Sequence, residues 1–327
     1  VIFTSGATES VHLAIKGIAK SLSPGRIVIS SVEHPAVNSA AESLKLSGWD
    51  IVKWPVDSKG NILIDLADRF LTTPTKIVSI IWGQSEIGSV QPIREIGDIC
   101  KKNNIYFHTD ATQILPHSSI DFRKLPVDLL SISAHKFLGP KGIGLLLVKR
   151  NIKDVLQPIQ GGGSQEFGLR SGTESVPLIS GMAMAMKFIN KQIYFDKTNT
   201  FFKTSYVSKQ TKILVNLLSE IDELIFVGNE FNINRLPNHV SLIARNKAGF
   251  PIPSRDFVKQ LADKGISISS GSACSSGTNK ESPILKAIGF DKKLLKSGIR
   301  ISLGPWIDYN QIKYVSQMIK DTIKKFN

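Results

Sequence analysis

The sequence predicts an α/β protein: a larger N-terminal domain built on a mainly parallel sheet, then a smaller α+β domain. Two observations carry this expectation. Over the first two-thirds of the chain, short apolar runs of strand length alternate with stretches whose apolar residues recur at helical spacing, the pattern of strand–helix–strand units. After about residue 185 helical patterns dominate and only short strand candidates remain between them, so the domains are set at 1–185 and 186–327.

Taken in order, Ile2-Phe3 leads a strand into a turn at Ser5-Gly6, and Val11, Ala14, Ile15, Ile18 and Leu22 share one face of the helix that follows. Residues 26–30 and 76–82 read as strands, and residues 92–102 as a helix that stops before Asn103-Asn104. Strands are expected again at 105–108, 129–133 and 143–148. In the second part, helical spacing covers 182–218, 255–264 and 308–325, with strands at 224–227, 239–243 and 299–303. There is no internal repeat and no low-complexity tract; Gly161 to Gly163 is only a short flexible patch.

Composition narrows the classes. With 327 residues, 42% apolar and 21% charged, the chain can bury a large core like an ordinary globular protein. No apolar run approaches the roughly 18 residues of a membrane helix, the longest obvious one, 143–148, being interrupted by Gly144. The first residues lack the basic start and apolar stretch of a signal peptide, and a beginning without Met inside a strand points to a segment that precedes it. Two cysteines, Cys100 and Cys274, do not make a disulfide framework and suit a reducing compartment, with the cytoplasm as the expected location. The net charge of +14 is spread among scattered lysines, with a modest cluster at Lys320, Lys324 and Lys325. That reads as a basic surface, not as a nucleic-acid site.

Several chemistries lack their motifs. There is no Walker A loop, no HExxH, no GxSxG and no GxGxxG opening a helix; Gly139 to Gly144 leads into a strand instead. Four other segments carry reactive residue types. Ser5-Gly6-Ala7-Thr8-Glu9-Ser10 is a small-residue turn between a strand and a helix, where free amides suit a phosphate or simply a helix cap. Ser131 to Lys136 ends a strand, the place where α/β sheets hold ligands. A lysine desolvated there would become a Schiff-base nucleophile, although a surface lysine in a turn is the plainer reading. His108-Thr109-Asp110-Ala111-Thr112-Gln113 ends another strand, and its aspartate could pair with a pyridinium nitrogen or cap a helix. Ser270 to Gly277 surrounds Cys274 with small polar residues, the setting of an exposed reactive thiol, whereas Cys100, with Ile96 and Ile99 nearby, reads as core.

In this order, TSGATES, EHPAV, EIGSVQPI, HTDATQ, SAHK with GPKGIG, QEFGLRSGT and SSGSACSS resemble the NifS/IscS-type cysteine desulfurases, of the class V aminotransferase family and the pyridoxal-phosphate (PLP) fold type I enzymes. The resemblance runs from residue 1 to about residue 320. It implies PLP as cofactor and L-cysteine as substrate, converted to L-alanine with a persulfide left on Cys274. Lys136 would hold the cofactor covalently, and His34 would stack on its ring and move protons. Asp110 would pair with the ring nitrogen, Gln113 and the residue at Ser85 with the phenolic oxygen, and Ala7, Thr8, Ser133 and His135 with the phosphate. Thr173 would reach the phosphate of a partner subunit, which implies a homodimer. Arg300 would bind the substrate carboxylate as a bidentate guanidinium, with Asn238 helping to position it. The resemblance also implies a sulfur-acceptor protein, such as an iron–sulfur scaffold, and no metal, membrane or nucleic acid.

The length from Ser270 to Gly289 favours the NifS/IscS branch, with its long mobile loop, over the SufS branch. Ser85 stands where the family usually has an asparagine, with Gln84 as a candidate to compensate. The family's usual N-terminal stretch before the first strand does not occur in this sequence. Other readings are a selenocysteine lyase or a small-amino-acid aminotransferase of the same fold, or a non-catalytic relative that acts as an interaction protein; an aminotransferase would have no use for Cys274.

Overall fold

In a computed structural model of the chain, residues 1–192, 206–231, 233–271 and 281–326 are described; Cys274 lies outside them. The chain forms two compact units. The first comprises Val1–Pro55, Ile62–Gly83 and Gln91–Phe195, and the second Val56–Asn61, Gln84–Val90 and Asp196–Asn327.

The first unit holds β1 (Ile2–Thr4), β2 (Arg26–Ser30), β3 (Asp50–Trp54), β4 (Thr75–Ile81), β5 (Tyr106–Asp110), β6 (Leu129–Ser133) and β7 (Gly144–Val148). They form one sheet in the order β1-β7-β6-β5-β4-β2-β3. Strands β3, β2, β4, β5 and β6 run parallel, while β7 is antiparallel to both β6 and β1. The carboxyl ends of β1, β2, β4, β5 and β6 therefore lie along one edge, where such sheets place their ligands. The helices are α1 (Ala7–Ala19), α2 (Pro35–Glu42), α3 (Ala67–Phe70), α4 (Ile93–Lys102) and α5 (Val176–Gln192).

The apolar stripe expected on α1 is buried: Val11, Ala14, Ile15 and Ile18 join Ile27, Ile29, Ile77, Leu129 and Leu146 in one core. Burial of about 25 cal/mol per Å² of such surface is what seats a helix on a sheet. Every residue of β6 is buried, and so is every residue of β4 except Lys76, which is why both read as apolar runs without alternation. The helix α2 and the strand β3 were not anticipated; β3 is a half-exposed edge strand, so its sequence, DIVKW, carries little pattern.

The second unit holds β8 (Leu224–Phe226), β9 (His239–Ala244), β10 (Ser269–Ser270) and β11 (Gly298–Ser302), an antiparallel sheet in the order β10-β11-β9-β8. With it go α6 (Tyr206–Leu218), α7 (Ser254–Ala262), α8 (Pro283–Ala287) and α9 (Tyr309–Lys324). Leu214, Leu242, Phe257, Leu261, Ile299 and Ile319 form its core. Asp308 starts α9 through a reciprocal capping box with Gln311, at 2.8 and 2.9 Å.

Two short segments leave the sequence order of the units. Residues 84–90 belong to the second unit through a bridge between Ser89 and Arg235 and a bond from Leu236 N to Gly88 O, 2.8 Å. Residues 56–61 belong there through reciprocal Asn61–Asn229 bonds of 3.0 and 2.7 Å. A single cut in the chain cannot express hydrogen bonds between residues so far apart in sequence.

Candidate active site

The carboxyl edge of the first sheet gathers most of the implied residues. Gly144 faces Thr4 of β1 on one side and Ser133 of β6 on the other. A Cβ there would stand 2.6 Å from Ile132 O and 2.7 Å from Gly6 Cα, so only glycine lets β7 pass this close to both neighbours. The consequence is that the turn into α1 lies beside Ser133: a Cβ on Gly6 would sit 3.5 Å from Ser133 Oγ. Ala7 and Thr8 occupy the first turn of α1, half-buried and exposed respectively. The amides of that turn and the positive end of the helix dipole make an anion seat.

Ser133 Oγ lies 2.9 Å from His135 Nδ1, placing a hydroxyl and an exposed imidazole at the same corner. The one acid in the first turn, Glu9, is taken up elsewhere. It accepts from Ser5 N at 2.7 Å and from Arg170 Nε at 2.9 Å. Burial pushes the Glu9 carboxyl up, but the bonds from Arg170 and Ser5 outweigh it and hold it below its usual range.

Asp110 ends β5 and is 6% exposed; its Oδ1 accepts from Thr112 N at 2.9 Å. Gln113 follows, half-buried in the turn. His34 caps α2, its Nδ1 accepting from Ala36 N at 3.1 Å. That bond assigns the proton of the neutral ring to Nε2. Burial lowers the His34 pKa first of all; Asp110 pulls it up and Lys136 pushes it down. Asp110 and Lys136 are thus both near enough to act on His34. Lys136 lies in the short turn Ala134–Phe137 after β6 and is exposed. Among the described residues the desolvation expected for it is not reached. Thr173 is exposed in the loop before α5, a loop tied back by Ser171 Oγ to Gly163 O at 2.8 Å.

The second unit holds Ser85, Asn238 and Arg300. Arg300, on β11, pairs in register with Ser241 of β9 and Ser269 of β10. Its Nη1 donates to Ser85 O at 2.9 Å, and the same carbonyl lies 3.1 Å from His239 Nε2. Ser85 thus meets Arg300 through its backbone. Asn238, just before β9, is half-buried and accepts from Leu303 N at 2.9 Å. Gln84, the candidate to compensate, uses its Oε1 to accept from Glu86 N at 2.5 Å and Ile87 N at 2.9 Å, which shapes its own turn.

Three residues of these sites were missed. Glu33 is buried beside Asp110. Glu86 accepts from Ser282 Oγ and lies near Arg300; burial raises its pKa, and Ser282 and Arg300 counter the rise. His108 is buried between Ser79, 2.8 Å away, and Ser131, also 2.8 Å. Glu33, Glu86 and His108 sit inside the quoted motifs EHPAV, EIGSVQPI and HTDATQ, so position within a motif was the available signal.

The first unit's residues fit PLP on their own chemistry. They offer an anion seat for the phosphate, a buried carboxylate for a protonated pyridine nitrogen, a half-buried imidazole for a ring face and a primary amine for an aldehyde. Among the described residues no cluster of His, Cys, Asp and Glu could hold a metal ion, and no helix is long and apolar enough to cross a membrane.

Comparison with known proteins bears on the same reading. A family model for aminotransferase class-V matches residues 1–315. A mitochondrial cysteine desulfurase of Candida maltosa is 37% identical over 99% of this chain and 64% of its own length. A mitosomal cysteine desulfurase of Trachipleistophora hominis is 36% identical, covering 99% and 72%. Cysteine desulfurase IscS of Dictyoglomus turgidum is 36% identical, covering 99% and 79%. The chain therefore spans less than two thirds of the Candida protein. Among solved structures, a NifS-like protein superposes with a TM-score of 0.86 at 30% identity, over 99% of this chain and 82% of that one. A structure described as SspA in complex with cysteine gives 0.74 at 31% identity, over 94% and 82%.

Proposed function

The chain belongs to the class-V aminotransferase family, and from that premise we propose that it is a PLP-dependent cysteine desulfurase, converting L-cysteine to L-alanine and leaving the sulfur as a persulfide on Cys274. The observation that carries the reading is the convergence of His34, Asp110 and Lys136 next to an anion seat formed by α1, Ser133 and His135.

PLP, when bound, supplies an electron sink at the substrate's α-carbon. The chain's residues do the rest. The α1 amides, Thr8, Ser133 and His135 hold the phosphate, Asp110 holds the ring nitrogen protonated, and Gln113 reaches the phenolic oxygen. Lys136 Nζ would anchor the cofactor and is the base for the α-proton, while His34, whose Nδ1 accepts from Ala36 N, would lie on the ring face and offer its Nε2–H as a proton donor. Arg300 holds the substrate carboxylate, with Asn238 beside its sheet. The Cys274 thiolate forms a new S–S bond as the substrate's Cβ–S bond breaks; the carbon fragment keeps the electron pair, takes up a proton and leaves as alanine.

We read the protein as a homodimer in which Thr173 serves the partner's site. Exposed Phe167, Val176, Met184 and Phe188, close to Thr173 in sequence, support an apolar contact surface there. The sulfur then passes to an acceptor protein such as an iron–sulfur scaffold. The two thiols suit a reducing compartment, and the cytoplasm is our reading, beside relatives whose names place them in mitochondria and a mitosome.

The test is an absorbance spectrum of the purified protein before and after L-cysteine, with Lys136→Ala and Cys274→Ala alongside. A yellow band that depends on Lys136, with alanine and sulfide appearing in step and sulfide lost in Cys274→Ala, is expected. A protein that stays colourless with added PLP refutes the reading, and sulfide release that survives Cys274→Ala refutes the role of the thiol.

A further inference from the structure

Glu33 immediately precedes His34 and has no part in the chemistry described so far. Its side chain is buried, 2% exposed, at the carboxyl edge of the sheet. Oε1 accepts from Ser30 Oγ at 2.5 Å and from Ile81 N at 2.8 Å. Oε2 is buried with no hydrogen-bond partner among the described residues. Ile81 is the register partner of Asp110 on the neighbouring strand, so two carboxyl groups meet at one corner of the sheet.

Among the described residues nothing that bonds the Glu33 side chain is a cation: its partners are a hydroxyl and an amide. Two carboxylates in a corner closed to water cannot both keep their charge, and the one without compensation takes the proton. Asp110 lies near enough to His34 to act on it, while the Glu33 side chain is bonded only by Ser30 Oγ and Ile81 N among the described residues. Burial first, and then the charge of Asp110, push the Glu33 carboxyl from the usual 4.5 to about 8. His108, also on β5, is held neutral by burial, its pKa pushed down to about 3.

We propose that Glu33 is a positioning residue that carries its own proton in the working protein, leaving Asp110 as the one anion where the cofactor's ring nitrogen is held. The role rests on the cofactor reading given above. A neutral Glu33 braces the end of β4 through Ile81 N without competing for the pyridine proton. An ionised Glu33 would place a second negative charge behind Asp110, spreading the attraction for that proton over two groups and straining both.

The experiment uses the protein without added cofactor, so that its outcome is independent of turnover. Thermal midpoints of the wild type and of Glu33→Gln, a shape-matched stand-in for the protonated acid, are measured from about pH 5 to about pH 9. A carboxyl whose pKa is raised by folding stabilises the fold fully only below its unfolded value of about 4.3, and that contribution is lost as pH rises through the folded value. The wild-type midpoint should therefore fall relative to Glu33→Gln between about pH 5 and about pH 8 and run level with it above. Parallel curves overturn the proposal. Should Glu33→Gln fail to fold, Asp110→Asn serves instead: without that charge Glu33 ionises more easily, so the decline must end at a lower pH than in the wild type, and an unmoved end point overturns the proposal. With PLP added, Glu33→Gln should keep the wild-type absorbance at neutral pH. A colourless wild type would refute the cofactor reading and leave the curves to decide the proton on Glu33.

Discussion

Replacing Gly144 with alanine tests whether the anion seat depends on a close approach of three strands. The added methyl would lie 2.6 Å from Ile132 O and 2.7 Å from two backbone atoms of Gly6. All of these are main-chain atoms, so no side chain can swing aside, and relief requires β7, β6 or the turn into α1 to shift. Overpacking of this kind costs about 1–3 kcal/mol. The β6 and β7 backbones are locked by a continuous antiparallel ladder, whereas Gly6 lies in the turn between β1 and α1, outside any ladder, so the turn should yield first. Any displacement of Gly6 carries the first-turn amides of α1 away from Ser133. If most of the strain is relieved only by losing that alignment, PLP should bind roughly 5- to 150-fold more weakly, at about 1.4 kcal/mol per factor of ten. The assay is an absorbance titration of the cofactor-free protein with PLP, with far-ultraviolet circular dichroism to show that the variant is folded. Gly161→Ala is the control, since a Cβ there meets nothing within 4 Å. A folded Gly144→Ala protein that binds PLP within about twofold of wild type would refute the account of the seat.

Arg300→Lys keeps the charge but loses the planar fork, so the KM for L-cysteine should rise by roughly 10- to 100-fold, as for a lost charged hydrogen bond of about 1.5–3 kcal/mol, with a smaller change in kcat; steady-state alanine production reads both. His108, buried and bonded to Ser79 and Ser131, is kept neutral by burial, its pKa lowered from 6.5 to about 3. As pH falls below about 6.5 the unfolded chain gains a proton that the fold refuses, so stability is lost toward about pH 3. Chemical denaturation should show His108→Gln less stable near neutral pH, from the orphaned serines, and less sensitive to acid than the wild type by up to roughly 5 kcal/mol.

Much of the first unit was legible because parallel sheets write their strands as apolar runs and their ligand sites as the residues that end them. β2 and β6 fall where the sequence set them, and Asp110 and Ser133 end their strands as a site requires. Pattern is silent where structure depends on distant partners. The residues Gln84–Val90 lie between two stretches of the first unit yet belong to the second, because backbone bonds to Asn234 and Leu236 hold them there. The proton economy was also hidden. EHPAV shows an acidic residue beside a histidine, but only the register of Ile81 with Asp110 reveals that Glu33 shares its corner with a second carboxyl. The two readings of Lys136, desolvated nucleophile or surface lysine in a turn, stayed open for a related reason: the identity of a residue after a strand does not tell how far the following turn exposes it.

The departure from the family pattern at Ser85 can be judged from the bonds that residue makes. Sequence reasoning gave weight to its side chain, as a shorter substitute for an asparagine that reaches the cofactor. In the second unit its main-chain oxygen is engaged by Arg300 Nη1 at 2.9 Å and His239 Nε2 at 3.1 Å. A carbonyl that collects two donors fixes the guanidinium whatever side chain the residue bears, and the turn around it is set by Gln84 Oε1 and by Gly88, whose φ of 78° suits glycine. Ser85→Ala should therefore leave the KM for L-cysteine within about twofold of wild type, since no bond to Arg300 is lost. Ser85→Asn should do the same while restoring a group long enough to touch the cofactor, so that any effect appears in the absorbance of the PLP-loaded protein. A tenfold rise in KM for a folded Ser85→Ala protein would show that the hydroxyl takes part in substrate binding, and the backbone account of Arg300 would be wrong.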